Sequence, residues 1–138
     1  MTLRLRPGKR GIELRLHELE AAIMDVVWSR NLTRFAVADV LSVLEQKRSI
    51  AYTTVMTTVS RLFDKGLLSR EREGKRYLYA PRMTRKEFLE GTARDVLRGA
   101  VDEPTALALL SEKVSEASAD ELDELEALIR ERRQELRR

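Results

Sequence analysis

The sequence predicts a mainly α-helical protein with one small β-hairpin, built as a basic N-terminal unit and an acidic, all-helical C-terminal unit. Three observations predict it. Apolar residues recur at helical spacing along most of the chain. That spacing gives way to alternation only between Leu67 and Ala80. Charge is shared unevenly, with 15 Lys and Arg against 9 Asp and Glu over residues 1–81, but 11 against 14 over residues 82–138.

Composition sets the bounds. In 138 residues, 43% are hydrophobic and 36% charged, which suits a soluble helical protein rather than a disordered one. Aromatics are 5%, so the core must rest on Leu, Val, Ile and Ala. Cysteine is absent, which excludes disulfides, zinc–thiolate sites and thiol nucleophiles and suits a reducing, cytoplasmic location. No run approaches the ~18 apolar residues of a membrane span, so no direct membrane insertion is expected. Arg4, Arg6, Lys9 and Arg10 are followed by no apolar segment, so residues 1–13 read as a basic tail and not as a secretion signal.

Residues 14–81 form the first unit. Leu16, Leu19, Ile23, Val26 and Val27 share one face of a first helix, which Asn31 is placed to stop. Val37, Val40, Leu41 and Leu44 line a second helix running to about Gln46, with Thr33 a candidate cap upstream. A third runs from about Tyr52 to Lys65, and Gly66 is placed to end it. Beyond Gly66, Leu68, Arg70 and Arg72 alternate with Ser69 and Glu71, and Tyr77 and Tyr79 alternate with Leu78. Two short strands around Glu73-Gly74-Lys75, forming a hairpin, are the result. Three helices followed by such a hairpin make a winged helix-turn-helix, and Leu68, Leu78 and Tyr79 are expected to rest on the helices.

Residues 82–138 form a three-helix unit. Thr84-x-x-Glu87 and Ser118-x-x-Glu121 have the spacing of capping boxes, and Pro104 suits a first helical turn. The helices carry Phe88, Leu89 and Val96, then Leu107, Leu110 and Val114, then Leu122, Leu125, Leu128 and Ile129. Leu122, Leu125, Ile129 and Leu136 make a heptad-like seam. A unit this small is marginal alone, so these apolar residues are expected to join two copies into a homodimer.

The third helix carries the candidate chemistry. At about 100° per residue, Val55, Val59, Leu62 and Tyr52 fall on a packing side. Thr53, Thr57, Ser60, Arg61 and Asp64 fall opposite, flanked by Thr54 and Lys65, with Thr58 nearer the core. Threonine is a poor helix former, so this density of Thr runs against local propensity. Its small methyl and hydroxyl suit base edges in a major groove, and Arg61 and Lys65 suit phosphates. Arg70, Arg72, Lys75 and Arg76 on the hairpin add a wing suited to phosphate or minor-groove contact. The candidate partner is therefore double-stranded DNA. Catalytic chemistry is not indicated. His17 is the sole histidine, and His17-Glu18-Leu19-Glu20-Ala21 lacks the second histidine of a zinc-protease motif. No enzyme activity, metal or cofactor is expected. The alternatives are a ligand-responsive regulator or a winged-helix protein-interaction module.

The runs Leu19-Glu20-x-x-Ile23-Met24-x-x-Val27-Trp28, Ala51-Tyr52-Thr53-Thr54-Val55-Met56-Thr57-Thr58-Val59-x-Arg61-Leu62-x-x-Lys65-Gly66-Leu67-Leu68 and Gly74-Lys75-Arg76-Tyr77-x-Tyr79 resemble the penicillinase repressor (BlaI/MecI) family. The likeness is strongest from about Leu14 to Ala80. It implies a dimeric repressor held together by its C-terminal helices, bound to palindromic operators upstream of β-lactamase or related antibiotic-resistance genes. It also implies a membrane sensor of β-lactams that triggers proteolysis of the repressor. Family members are cut between Asn and Phe; Leu110-Ser111 stand at that place here, a departure from the pattern.

Overall fold

The computed structural model describes residues 9–100 and 103–138; Arg4 and Arg6 of the expected tail lie outside the described residues. The helices are α1 (Glu18–Ser29), α2 (Val37–Leu44), α3 (Tyr52–Asp64), α4 (Arg85–Asp95), α5 (Glu103–Glu116) and α6 (Ala119–Leu136). Strands β1 (Leu68–Glu73) and β2 (Arg76–Pro81) form an antiparallel hairpin between α3 and α4. The chain divides into two compact units, one ending at Ala93 and the other spanning Arg94–Arg138.

Periodicity and capping explain the first unit. Leu16, Ile23, Met24, Val27, Val40, Val55, Val59 and Leu62 are fully buried and form one core. Both α1 and α3 end in the same motif. Asn31 and Gly66 take left-handed backbone angles, with φ of 53° and 86°. The Leu32 N–H then donates to the Val27 carbonyl, and the Leu67 N–H to the Leu62 carbonyl. Each motif satisfies end carbonyls and turns an apolar residue back onto the core. In the hairpin, Gly74 (φ 61°) and Lys75 make a two-residue turn between the paired Glu73 and Arg76.

The structure departs from the sequence expectations at several places. A short 3₁₀ turn at Gly11–Leu14 packs Ile12 on the core, so folded structure begins within the segment read as tail. Thr33 does not cap α2. Phe35 instead pairs with Tyr79 as a short antiparallel bridge, exchanging bonds of 2.9 and 2.7 Å, which holds this stretch extended. The helix therefore starts only at Val37, where Asp39 accepts the Ala36 N–H at 2.8 Å. Leu68 and Tyr79 reach the core as expected, whereas Leu78 lies half-buried on the other face of the hairpin.

The first unit also runs past the expected boundary at residue 81. Phe88 of α4 is 4% exposed, belongs to the core and lies 5.7 Å from the Trp28 ring. The Trp28 indole N–H donates to the Met83 carbonyl at 3.0 Å, and Arg85 pairs with Asp25. Phe88 is thus a core residue of the winged unit and not part of a dimer surface.

Among its described residues, the second unit has no such core. No residue of α6 is buried, and Leu107, Leu128 and Leu136 are 65%, 61% and 67% exposed. Both expected capping boxes form, with the Glu87 N–H 3.1 Å from the Thr84 hydroxyl and the Glu121 N–H 3.2 Å from the Ser118 hydroxyl. The Glu121 carboxylate accepts in return from the Ser118 backbone N–H at 3.2 Å. Hydrogen bonds from the Ser118 backbone and side chain hold the Glu121 carboxyl below its ordinary value.

Two outcomes are expected. Phe88→Ala should cost about 3–5 kcal/mol of stability in urea denaturation, as for a core phenylalanine. Weakened self-association with unchanged stability would put Phe88 on an interface instead. In a carboxyl NMR titration, Glu121 should titrate below 4.5, and Ser118→Ala should move its midpoint up towards that value. The stabilisation held by this cap is present above the ordinary carboxylate pKa and is lost as pH falls through the lowered one.

Candidate nucleic-acid interface

Packing divides the side chains of α3. Val55, Val59 and Leu62 enter the core, and Thr58 joins them at 5% exposure. Thr53, Thr54, Thr57 and Arg61 are exposed. The Thr57 hydroxyl donates to the Thr53 carbonyl at 2.9 Å, so its proton is committed to the helix and the side chain offers lone pairs and a methyl. Thr58 donates likewise to the Thr54 carbonyl at 2.8 Å, which satisfies its hydroxyl inside the protein. Thr58 is therefore removed from the candidate set, because the elements packed on α3 cover it.

Lys65 is also committed. Its ammonium lies 2.5 Å from Glu20 Oε2, and Glu20 is almost wholly buried. The second Glu20 oxygen accepts the His17 backbone N–H at 3.0 Å. Lys65 thus ties the end of α3 to the start of α1 and is not a free surface cation. Arg61 has no ion-pair partner among the described residues.

Strand alternation sorts the charges of the hairpin. The register pairs Arg70 with Tyr79 and Arg72 with Tyr77, so these four share one face. Glu71 and Glu73 share the other face with Leu78 and Arg76. The Arg70 guanidinium sits between two rings, 4.0 Å from the Phe63 centroid and 4.2 Å from that of Tyr77. Phe63 belongs to α3, so this sandwich fixes the wing against the helix. Arg72 bonds the Gly74 carbonyl at 3.1 Å, which holds it beside the turn. On the far face, Arg34 reaches Glu73 at 3.3 Å and Glu71 at 3.9 Å, and Arg76 reaches Glu73 at 3.1 Å. Sequence reasoning grouped Arg76 with the other wing cations; the register separates it from Arg70 and Arg72 and pairs it with a glutamate. Lys75 projects from the turn, exposed and without an ion-pair partner among the described residues.

The result is a hydroxyl-bearing helix flanked by a wing whose α3-side face is cationic. Residues 16–131 match the penicillinase repressor family model. The chain belongs to the penicillinase repressor family. Its members are transcriptional regulators. A transcriptional regulator BlaI of Mycobacterium tuberculosis is 38% identical over 117 residues, covering 85% of this chain and 84% of that protein. An uncharacterised 16.5 kDa protein of Latilactobacillus sakei is 31% identical over 77 residues, covering 56% of this chain and 51% of that protein. Among solved structures, MepR, a transcription regulator of the Staphylococcus aureus multidrug efflux pump MepA, aligns at 13% identity with a TM-score of 0.45, covering 88% of this chain and 80% of that one. Among the described residues of this family member, no helix is long and apolar enough to cross a membrane.

Two features of the surface escaped the sequence analysis. Tyr52, assigned there to the packing side, is 48% exposed, and Met56 beside it is 41% exposed. The Phe63–Arg70–Tyr77 stack was missed because it joins two elements. The Lys65 assignment is checked by Lys65→Met, which strands the Glu20 carboxylate and should cost about 3 kcal/mol in urea denaturation. Stability unchanged with weakened DNA affinity would return Lys65 to the nucleic-acid surface.

Proposed function

We propose that this repressor is a homodimer that sets α3 of each copy into successive major grooves of a palindromic operator. The observation that carries the reading is the exposed ridge of Thr53, Thr54, Thr57 and Arg61, flanked by a wing whose Arg70 lies over Phe63 of the same helix and shares its face with Arg72. The threonines are short enough to let the helix backbone approach base edges. Thr57, with its hydroxyl proton bound to Thr53, would accept from an adenine or cytosine amino group or touch a thymine methyl. Arg61 and Lys75 serve as phosphate contacts. Arg70 and Arg72 place a fixed positive charge beside the backbone or in the minor groove.

Dimerisation falls to the second unit, with Leu89 of α4. Leu107, Leu110 and Val114 of α5 and Leu125, Leu128 and Ile129 of α6 are exposed, with Leu122 half-buried. Leu89, exposed on α4, and Val96, half-buried just beyond it, extend the set. These faces remain in water in a single chain, and a twofold pair buries them against each other. Two reading helices about one duplex turn apart then match a palindrome. Family membership supports operators upstream of β-lactamase or related antibiotic-response genes. It also supports derepression by a protease under the control of a membrane sensor. The Leu110–Ser111 bond lies in the middle of α5, so a cut there requires local unwinding and detaches α6 from the reading unit.

The test is fluorescence anisotropy on duplexes that co-purify with the protein from its own cells. Binding should weaken steeply with salt, and Arg61→Ala should reduce the log–log salt slope by about 1. Thr57→Glu should abolish operator binding at an unchanged urea midpoint. Full affinity in that variant would remove α3 from the groove.

A further inference from the structure

We infer that Tyr52 and Met56 form an apolar edge of α3 that reads the C5-methyl group of a thymine in each operator half-site. The inference rests on the reading of α3 as the major-groove helix and assigns that helix a sequence preference. The two side chains are one turn apart and share a face. At 48% and 41% exposure they stand out from their surroundings. Leu89 is the other exposed large hydrophobic residue among the described residues of the first unit. Neither Tyr52 nor Met56 belongs to the core.

Their position selects the ligand. Along α3, Tyr52, Met56 and Phe63 fall within about 40° of one another. This apolar edge borders the hydroxyl ridge of Thr53 and Thr57. It runs towards Phe63, where Arg70 of the wing lies over the ring at 4.0 Å. A lone exposed apolar side chain needs no explanation. Two adjacent ones on the face that docks do, because docking removes their water and their polar neighbours cannot replace it. The apolar group that unmodified base pairs offer in the major groove is the thymine methyl. The unbranched, polarisable Met56 side chain can follow such a methyl, and the Tyr52 ring offers a flat apolar wall beside it.

The test uses the full-length protein and duplexes selected by it from a randomised library. Each thymine of a selected duplex is replaced singly by deoxyuridine, which removes the methyl group alone. We expect a symmetry-related pair of positions at which affinity falls about fourfold per methyl. In Met56→Ala or Tyr52→Ala that discrimination should fall towards unity, while the salt slope and urea midpoint stay as in the wild type. Uniform tolerance of deoxyuridine by the wild type overturns the inference and leaves operator binding intact. So does a loss that persists unchanged in both variants. If both variants bind every duplex as the wild type does, the inference also fails. Recovery of no duplex at all overturns both this inference and the operator reading.

Discussion

Leu107, Leu110 and Val114 of α5 and Leu125, Leu128 and Ile129 of α6 are exposed to water in the single chain, and this exposure is the molecule's governing constraint. Burial of apolar area is the dominant favourable term in folding, at roughly 25 cal/mol per Å². A helical unit in which α6 has no buried residue cannot draw on it alone. The winged unit is the opposite case, with a continuous core from Leu16 to Phe88. The winged unit thus buries its own apolar core, whereas α5 and α6 carry exposed apolar residues. In the proposed function, a second copy of the same faces covers them, with the symmetry that a palindrome demands.

Within the winged unit, a few long-range ties turn separate elements into one surface. Glu20 and Lys65 join the start of α1 to the end of α3. Arg70, held between Phe63 and Tyr77, joins the wing to α3. The Phe35–Tyr79 bridge anchors the second strand to the segment before α2. Helix and wing thus have their relative position already set, and the proposed docking on DNA would carry little ordering cost. Strand alternation does the electrostatic sorting. It turns Arg70 and Arg72 towards the helix and leaves Glu71 and Glu73 to Arg34 and Arg76 on the far side.

Much of this was legible in the sequence, for physical reasons. Helix period, the stops at Asn31 and Gly66, the Gly74-Lys75 turn and both capping boxes are local signals, and each formed. Arg70 and Arg72 already alternate with Glu71 and Glu73 in the sequence, so their separation was readable, although which face meets α3 was not. The errors arose where burial depends on distant partners. A helical wheel placed Thr58 near the core but could not show that it is buried, nor that Tyr52, at the first position of α3, is left bare. Lys65 looked like a free cation because Glu20 is 45 residues away. Phe88 looked like an interface residue because its stripe resembles those of α5 and α6. Only the tertiary structure puts it against Trp28.

The absence of cysteine makes the central claim directly measurable, because Asp64→Cys gives a single spin-label site at the exposed end of α3. Pulsed electron paramagnetic resonance on the operator complex should give one narrow distance distribution near about 34 Å, one turn of duplex. No dipolar coupling, or a distance far from one turn, would contradict a symmetric pair with α3 of each copy in the major groove.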